Sequence, residues 1–346
     1  MKVSVWHNNK DIRIEERPVP APGPGELLVK VHACGICGSD VSEWYRLPRA
    51  PLIQGHEIGA EVIQTGDGTT RFKTGERLAA MPKIPCLSCD YCADGHFPQC
   101  TEIKERLPGG FAEYMVIPRS IVQHGTFQLP DNMTYQQATF IEPLACVVRA
   151  QRIAGISRLS PKKKSGALRT VCILGSGMSG ILNIRLAKAA GWKVIATDIA
   201  PEKMEWARKS GADFVIRADS DVPAEIIRTT GAKADAVIVT AGAVPPALQA
   251  WDIIDKGGSI VFFAVPSPEK TVTIPLNRFW MQEITVATSY YCGPSDMEEA
   301  MQLISIGTVR VDDLITHVLP LDKTAEGFDL VINGKGTVKV IITPSG

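Results

Sequence analysis

Four of the nine cysteines in this 346-residue chain fall within "CLSCDYCADGHFPQC", where Cys86, Cys89, Cys92 and Cys100 follow the spacing CxxCxxCx7C. Four thiolates in one loop can close a tetrahedron around Zn(II) at about 2.3 Å per bond, which leaves no coordination position for water or substrate. A metal held this way locks a loop that its own "PKIPC" and "DGHFPQC" could not pack by burial. Such sites contribute on the order of 10 kcal/mol in peptides. The expected role is structural. A redox dithiol would not need the third and fourth cysteines, and a nucleic-acid reader would need basic and aromatic surroundings, whereas this loop carries Asp90, Asp94 and only two aromatics.

A second set of ligand types is dispersed over "CGICGSD" (34–40), "GHE" (55–57) and "IEPLACVV" (141–148). Cysteine, histidine and one or two carboxylates make a mixed site with fewer firm protein ligands than a closed cage. Such a site keeps a position open, and an open position is what makes Zn(II) a Lewis acid toward a bound oxygen. A third motif, "VCILGSGMSG", places Gly175, Gly177 and Gly180, with Met178 and Ser179 between them, in GxGxxG register after an apolar run. The first glycine permits a tight turn, the second lets a pyrophosphate approach the backbone, and the third allows close packing of helix on strand. The helix N-terminus then offers free N–H groups to the phosphates. Asp198 ends the next apolar run, where an acid can accept hydrogen bonds from both hydroxyls of an adenosine ribose. Its charge would repel a 2'-phosphate, and no arginine follows immediately, so NAD(H) is expected in preference to NADP(H).

The elements that must position these groups divide by texture. Residues 1 to about 125 show short alternating runs such as "ELLVKVHA" and "GAEVIQTG", broken by Gly and Pro, which predicts an antiparallel, barrel-like β region. From about residue 153 the pattern becomes continuous apolar strands ("TVCILGSG", "WKVIATD", "ADAVIVTAG", "GSIVFFAV") alternating with helical stretches, the signature of a parallel sheet covered on both faces. After about residue 288 the punctuation returns to that of the first region. The expected division is therefore 1–152 with 289–346 as an α+β domain holding both metal sites, and 153–288 as a doubly wound α/β dinucleotide domain.

Bulk properties narrow the function. Lys+Arg and Asp+Glu both number 37, so no excess positive charge favours a nucleic acid or another polyanion. No run approaches the roughly 18 apolar residues of a membrane helix, and the N-terminus lacks the apolar core of a secretion signal. A cytoplasmic chain is expected, in which an odd number of cysteines serves as thiols and metal ligands. Cys34, Cys146, Cys172 and Cys292 read as small buried thiols.

In this order and spacing, Cys37, "GHE", the four-cysteine lobe and "GSGMSG" closely resemble the zinc-containing medium-chain alcohol dehydrogenases. "CGICGSD", "FIEPLACVV" and "SYYCG" are most similar to the sorbitol and polyol dehydrogenase branch, with threonine dehydrogenases nearby. The resemblance implies a GroES-like barrel bearing two zincs, a Rossmann domain, an active site in the cleft between them, and a homodimer or homotetramer. It makes Cys37 and His56 ligands of the catalytic zinc and leaves Glu57 and Glu142 as candidates for the carboxylate ligand. It assigns Ser39 to take the alcohol proton and places Lys203 near the adenosine ribose. Ser42 stands where many relatives continue the relay with histidine, and Glu43 where sorbitol dehydrogenases often have tyrosine. The expected reaction is hydride transfer between a secondary alcohol (or the ketone) of polyol or sugar type and NAD, the alternatives being a threonine-type or simple secondary-alcohol dehydrogenase. A non-catalytic NAD-binding protein would have no need of Cys37, Ser39, His56 and Glu57. Trp44, Tyr45, Arg46 and Arg49 occupy the short connection between Cys37 and His56, and an arginine turned toward the substrate would select an acidic or phosphorylated alcohol.

Overall fold

The computed structural model describes residues 1–103 and 105–345 and separates into two compact units, Met1–Ala145 with Cys292–Gly346, and Cys146–Tyr291.

In the second unit, six strands form one wholly parallel sheet in the spatial order Phe214–Arg217, Lys193–Asp198, Thr170–Leu174, Ala234–Val239, Ile254–Phe262, Thr285–Thr288. The order runs outward in both directions from Thr170–Leu174 and Ala234–Val239, so the topology reverses between these two neighbours. Such a reversal opens a crevice at the carboxyl ends of the strands. The continuous apolar runs have a direct explanation in the packing. Cys172 and Leu174 pack with Ile195, Val237, Trp251 and Ile260 on one face, while Val171 and Ile173 pack with Val194, Ala236, Ile238 and Val261 on the other. Successive side chains point to opposite faces, and both faces are buried, so a polar residue at any of these positions would be desolvated without a partner.

The first unit contains a three-stranded sheet and a seven-stranded one. In the larger sheet Leu27–Gly35 is the hub: it pairs antiparallel with Glu57–Thr65, Tyr114–Ile117 and Lys339–Thr343. The C-terminal strands Ile315–Pro320 and Lys339–Thr343 thus complete the sheet begun by the N-terminal residues; they run parallel to each other. Register decides what meets at the hub's end. Gly35 lies opposite Glu57 on one side and Ile341 on the other. The loop carrying Cys37 therefore leaves the sheet where His56 enters it, although the two residues come from different strand ends. Gly35 leaves room for Glu57 and Lys339: a Cβ there would come within 2.3 Å of Glu57 Oε2 and 2.6 Å of Lys339 Nζ, so the two buried side chains would have to shift.

Candidate active site and metal centres

Three of the dispersed ligand types come together. Cys37 Sγ, a ring nitrogen of His56 and a carboxylate oxygen of Glu57 lie within 4.8 Å of one another. Glu142 is absent from that group and instead has a carboxylate oxygen within 4.8 Å of the Cys292 sulfur. The loop after Gly35 is held from inside: Asp40, fully buried, accepts from the Cys37 N–H (3.0 Å) through Oδ2, and its Oδ1 faces His56 Nδ1 (3.3 Å). With Nδ1 engaged by a carboxylate, Nε2 is the ring atom left for a metal, a common way of fixing a ligating histidine. Burial opposes a positive charge on His56, yet the Asp40 carboxylate and the Cys37 sulfur outweigh it and hold the imidazole pKa well above its usual value. The same negative surroundings favour a cation in contact with the ring.

Glu57 is buried, and the ammonium of Lys339, itself 1% exposed, donates to its Oε2. Its Oε1 has no hydrogen-bond partner among the described residues. A buried carboxylate oxygen in that condition, facing a thiol and an imidazole, suits a divalent cation. Ser39 Oγ lies 3.4 Å from Cys37 Sγ and accepts from Arg46 Nη2 at 2.9 Å. Arg46 also donates to the Ser39 carbonyl and to Asp40 Oδ1. Ser42 turns back to the Gly38 carbonyl, and the Glu43 carboxylate accepts from the Asn9 N–H, so neither extends outward from Ser39.

The four-cysteine lobe brings Cys86, Cys89, Cys92 and Cys100 within 4.8 Å of one another. Sulfur separations are 3.5 Å for Cys89 and Cys92 and 3.9 Å for Cys86 and Cys92, close to the edge of a tetrahedron with bonds of about 2.3 Å. Backbone N–H groups already serve thiolate acceptors: Cys86 N donates to Cys100 Sγ and Cys89 N to Cys86 Sγ. Donors at Ser88 and Cys89 bring the Cys86 thiol down to about 6.

In the second unit the glycines behave as their spacing requires. Gly175 has φ +105°, and a Cβ on Gly180 would lie 2.0 Å from the Gly175 carbonyl oxygen, so helix Met178–Ala189 can approach the strand only without a side chain there. Gly177 caps that helix without a side-chain hydrogen bond, and a Cβ there would meet nothing within 4 Å. The space before the helix N-terminus is therefore open for a phosphate, and Met178 and Ser179 start the helix half-buried beside it. Asp198 ends its strand with Oδ2 accepting from Ser176 N (2.8 Å) and Oδ1 from Ala200 N (2.9 Å), which fixes the carboxylate at the carboxyl end of the strand. Lys203 is half-buried on helix Pro201–Lys209.

The zinc-binding dehydrogenase family model matches residues 180–305, and the alcohol dehydrogenase GroES-like domain model matches residues 23–131. The sorbitol dehydrogenase of Bombyx mori is 31% identical, with 98% of this chain and 97% of that protein covered. The chain belongs to the zinc-containing medium-chain alcohol dehydrogenases. The 2R,3R-butanediol dehydrogenase from Bacillus subtilis shares the whole fold with a TM-score of 0.86, 30% identity and 99% of both chains covered. A zinc-binding dehydrogenase from Sinorhizobium meliloti 1021, solved with NADP bound, gives a TM-score of 0.87 at 29% identity, again with 99% of both chains covered.

This dehydrogenase uses residues that sequence reading passed over. Asp40 is visible in "CGSD", but its hold on His56 depends on a loop closing over Gln54, whose side chain donates to the Asp40 carbonyl. Lys339 is signalled only as a lone charge in the apolar run "VKVII". Thr240, whose hydroxyl donates to the Gly175 carbonyl (2.7 Å) and fixes the glycine turn, carries no sequence signal of its own.

Proposed function

We propose that this dehydrogenase oxidises a secondary alcohol of polyol type with NAD, with a catalytic zinc held by Cys37, His56 and Glu57 and a structural zinc held by Cys86, Cys89, Cys92 and Cys100. The convergence of the first three side chains within 4.8 Å, with the Ser39 hydroxyl beside Cys37, carries the reading. When bound, zinc supplies the Lewis acidity that makes an alcohol hydroxyl a proton donor at neutral pH, and the nicotinamide accepts the hydride. The protein's residues do the rest. Glu57 is favoured over Glu142 as the third ligand because it alone of the two meets Cys37 and His56. Asp40 orients the imidazole, and Ser39 Oγ receives the alcohol proton. Arg46, charged at every relevant pH, holds the Ser39 hydroxyl but cannot accept that proton. With Ser42 and Glu43 turned elsewhere, the proton leaves Ser39 through water or the cofactor ribose.

NAD is the expected cofactor because the fixed Asp198 carboxylate, ending the second strand of the dinucleotide motif, would repel a 2'-phosphate. Arg217, opposite Asp198 in the neighbouring strand, could have neutralised a phosphate, but its guanidinium is engaged by Asp219 at 2.6 and 2.9 Å. The helix Leu276–Gln282, which precedes the edge strand Thr285–Thr288, exposes Leu276, Trp280 and Met281 at 70% or more, which supports association of copies through this sheet edge. Among the described residues no helix is long and apolar enough to cross a membrane. The charge balance and abundant thiols support a cytoplasmic location.

The test is NAD reduction across polyols, short secondary alcohols and amino-alcohols, with zinc counted per chain. Cys37→Ser should remove one zinc and turnover while leaving NAD binding intact; an active variant lacking that zinc would refute the site.

A further inference from the structure

The connection after the Ser39 loop carries two arginines in different situations. Arg46 is 12% exposed and committed to Ser39 and Asp40. Arg49 is exposed and shares a neighbour with Arg46: the guanidinium carbons of both lie 5.1 Å from the Tyr45 ring centroid. A continuous line of contacts thus runs from Cys37 through Ser39, Arg46 and Tyr45 to Arg49. A second segment supplies more charge, since Lys83 and Arg106 face each other in an isolated antiparallel bridge. Lys83 is half-buried, and its pKa is lowered by that burial and by the fields of Arg106 and Arg49, with Tyr45 and Cys292 acting the other way. The positive charges of Arg106, its bridge partner, and of Arg49 thus act on Lys83 together. Like charges held this close raise the energy of the cluster, and an anion placed among them lowers it.

We propose that Arg49, Lys83 and Arg106 recognise an anionic group on the substrate, so that the alcohol oxidised is a phosphorylated or carboxylated polyol. The proposal rests on the assignment of the alcohol site to Cys37, His56 and Glu57. Two guanidiniums can grip phosphate or carboxylate oxygens in pairs, and a lysine adds a point charge to either. The aromatic ring of Tyr45, already seated against both arginines, limits how far the guanidiniums can swing and lowers the entropy lost when they close on an anion.

The test compares matched substrates on the zinc-loaded protein: sorbitol, sorbitol 6-phosphate and gluconate, with NAD. The KM of at least one anionic compound should lie tenfold or more below that of sorbitol and rise with added NaCl, the phosphate and carboxylate arms showing which anion is preferred. Arg49→Gln and, separately, Lys83→Met should each collapse the ratio of sorbitol KM to anionic KM by tenfold or more. Calorimetric titration of both anionic compounds into wild type and the two variants gives the same comparison without turnover. Equal KM values for anionic and neutral substrates, or a ratio unmoved by both variants, would overturn the proposal even if sorbitol is oxidised. Binding of an anionic compound that is lost in Arg49→Gln, with no alcohol of any kind oxidised, would uphold the anion site and strike instead at the alcohol site on which it was built.

Discussion

Replacing Lys339 with methionine isolates the energetics of the buried pair at the metal pocket. Lys339 and Glu57 are 1% and 0% exposed, and the second carboxylate oxygen of Glu57 has no hydrogen-bond partner among the described residues. Methionine fills most of the lysine's volume but removes the ammonium that donates to the carboxylate, leaving an uncompensated charge out of water. Breaking such a pair from one side costs about 3–5 kcal/mol. For a unit of about 200 residues each kcal/mol is worth about 2–4 °C, so the unfolding transition of the first unit should fall by about 10 °C. The companion variant Glu57→Gln/Lys339→Met carries neither charge and should recover most of the loss, because the penalty comes from desolvating one unpaired ion rather than from losing attraction. Differential scanning calorimetry, with the catalytic zinc stripped from every variant, reads both. The single variant should also be rescued in part by excess zinc, which brings a second positive charge to the same carboxylate. A single-variant loss under about 1 kcal/mol, or a double variant less stable than the single, would refute the reasoning.

Other outcomes follow from the same geometry. Gly180→Ala would place a Cβ at 2.0 Å from the Gly175 carbonyl and should weaken NAD binding tenfold or more by calorimetry with zinc content unchanged; wild-type affinity would contradict the close packing. Gly177→Ala, with open space around it, should fold normally and lose affinity only because its methyl enters the phosphate's place. Cys92→Ser should reduce zinc from two per chain to one and lower the unfolding temperature, and two retained zincs would exclude the four-cysteine site. Burial pushes the Cys172 thiol far above its usual value, and burial with the nearby Asp40 and Glu57 charges does the same for Cys34. Iodoacetamide at pH 8 should modify both only after unfolding, as read by mass spectrometry. The sign for stability is equally definite: above about pH 9 the unfolded chain releases these protons while the native state keeps them, so unfolding free energy must fall as pH rises.

The parts of the site that lie close together in sequence were legible from it. The four cysteines sit within fifteen residues, and the glycine turn and Asp198 belong to one strand–helix–strand unit, so spacing alone reports their geometry. The mixed site was legible only as a set of residue types, because what brings Cys37 to His56 is the pairing of Leu27–Gly35 with Glu57–Thr65. The resemblance offered both acids, and the fold separates them: strand register sets Glu57 beside Cys37 and His56, whereas Glu142, on helix Ile141–Ile153, lies near a cysteine about 150 residues later. The same limit hid Lys83 and Arg106, which a single bridge joins across the four-cysteine lobe, and turned Arg46 from a candidate substrate contact into the support of Ser39.

The pairing of residues 57 and 339, 282 positions apart, also has a consequence in time. A ribosome exposes the Cys37 loop, His56 and Glu57 well before the lysine that answers Glu57, so the pocket acquires that charge only after residue 339 has been made. A chain truncated before Lys339 would carry Cys37, His56 and all four cysteines of the lobe and still lack the charge that lets Glu57 stay buried.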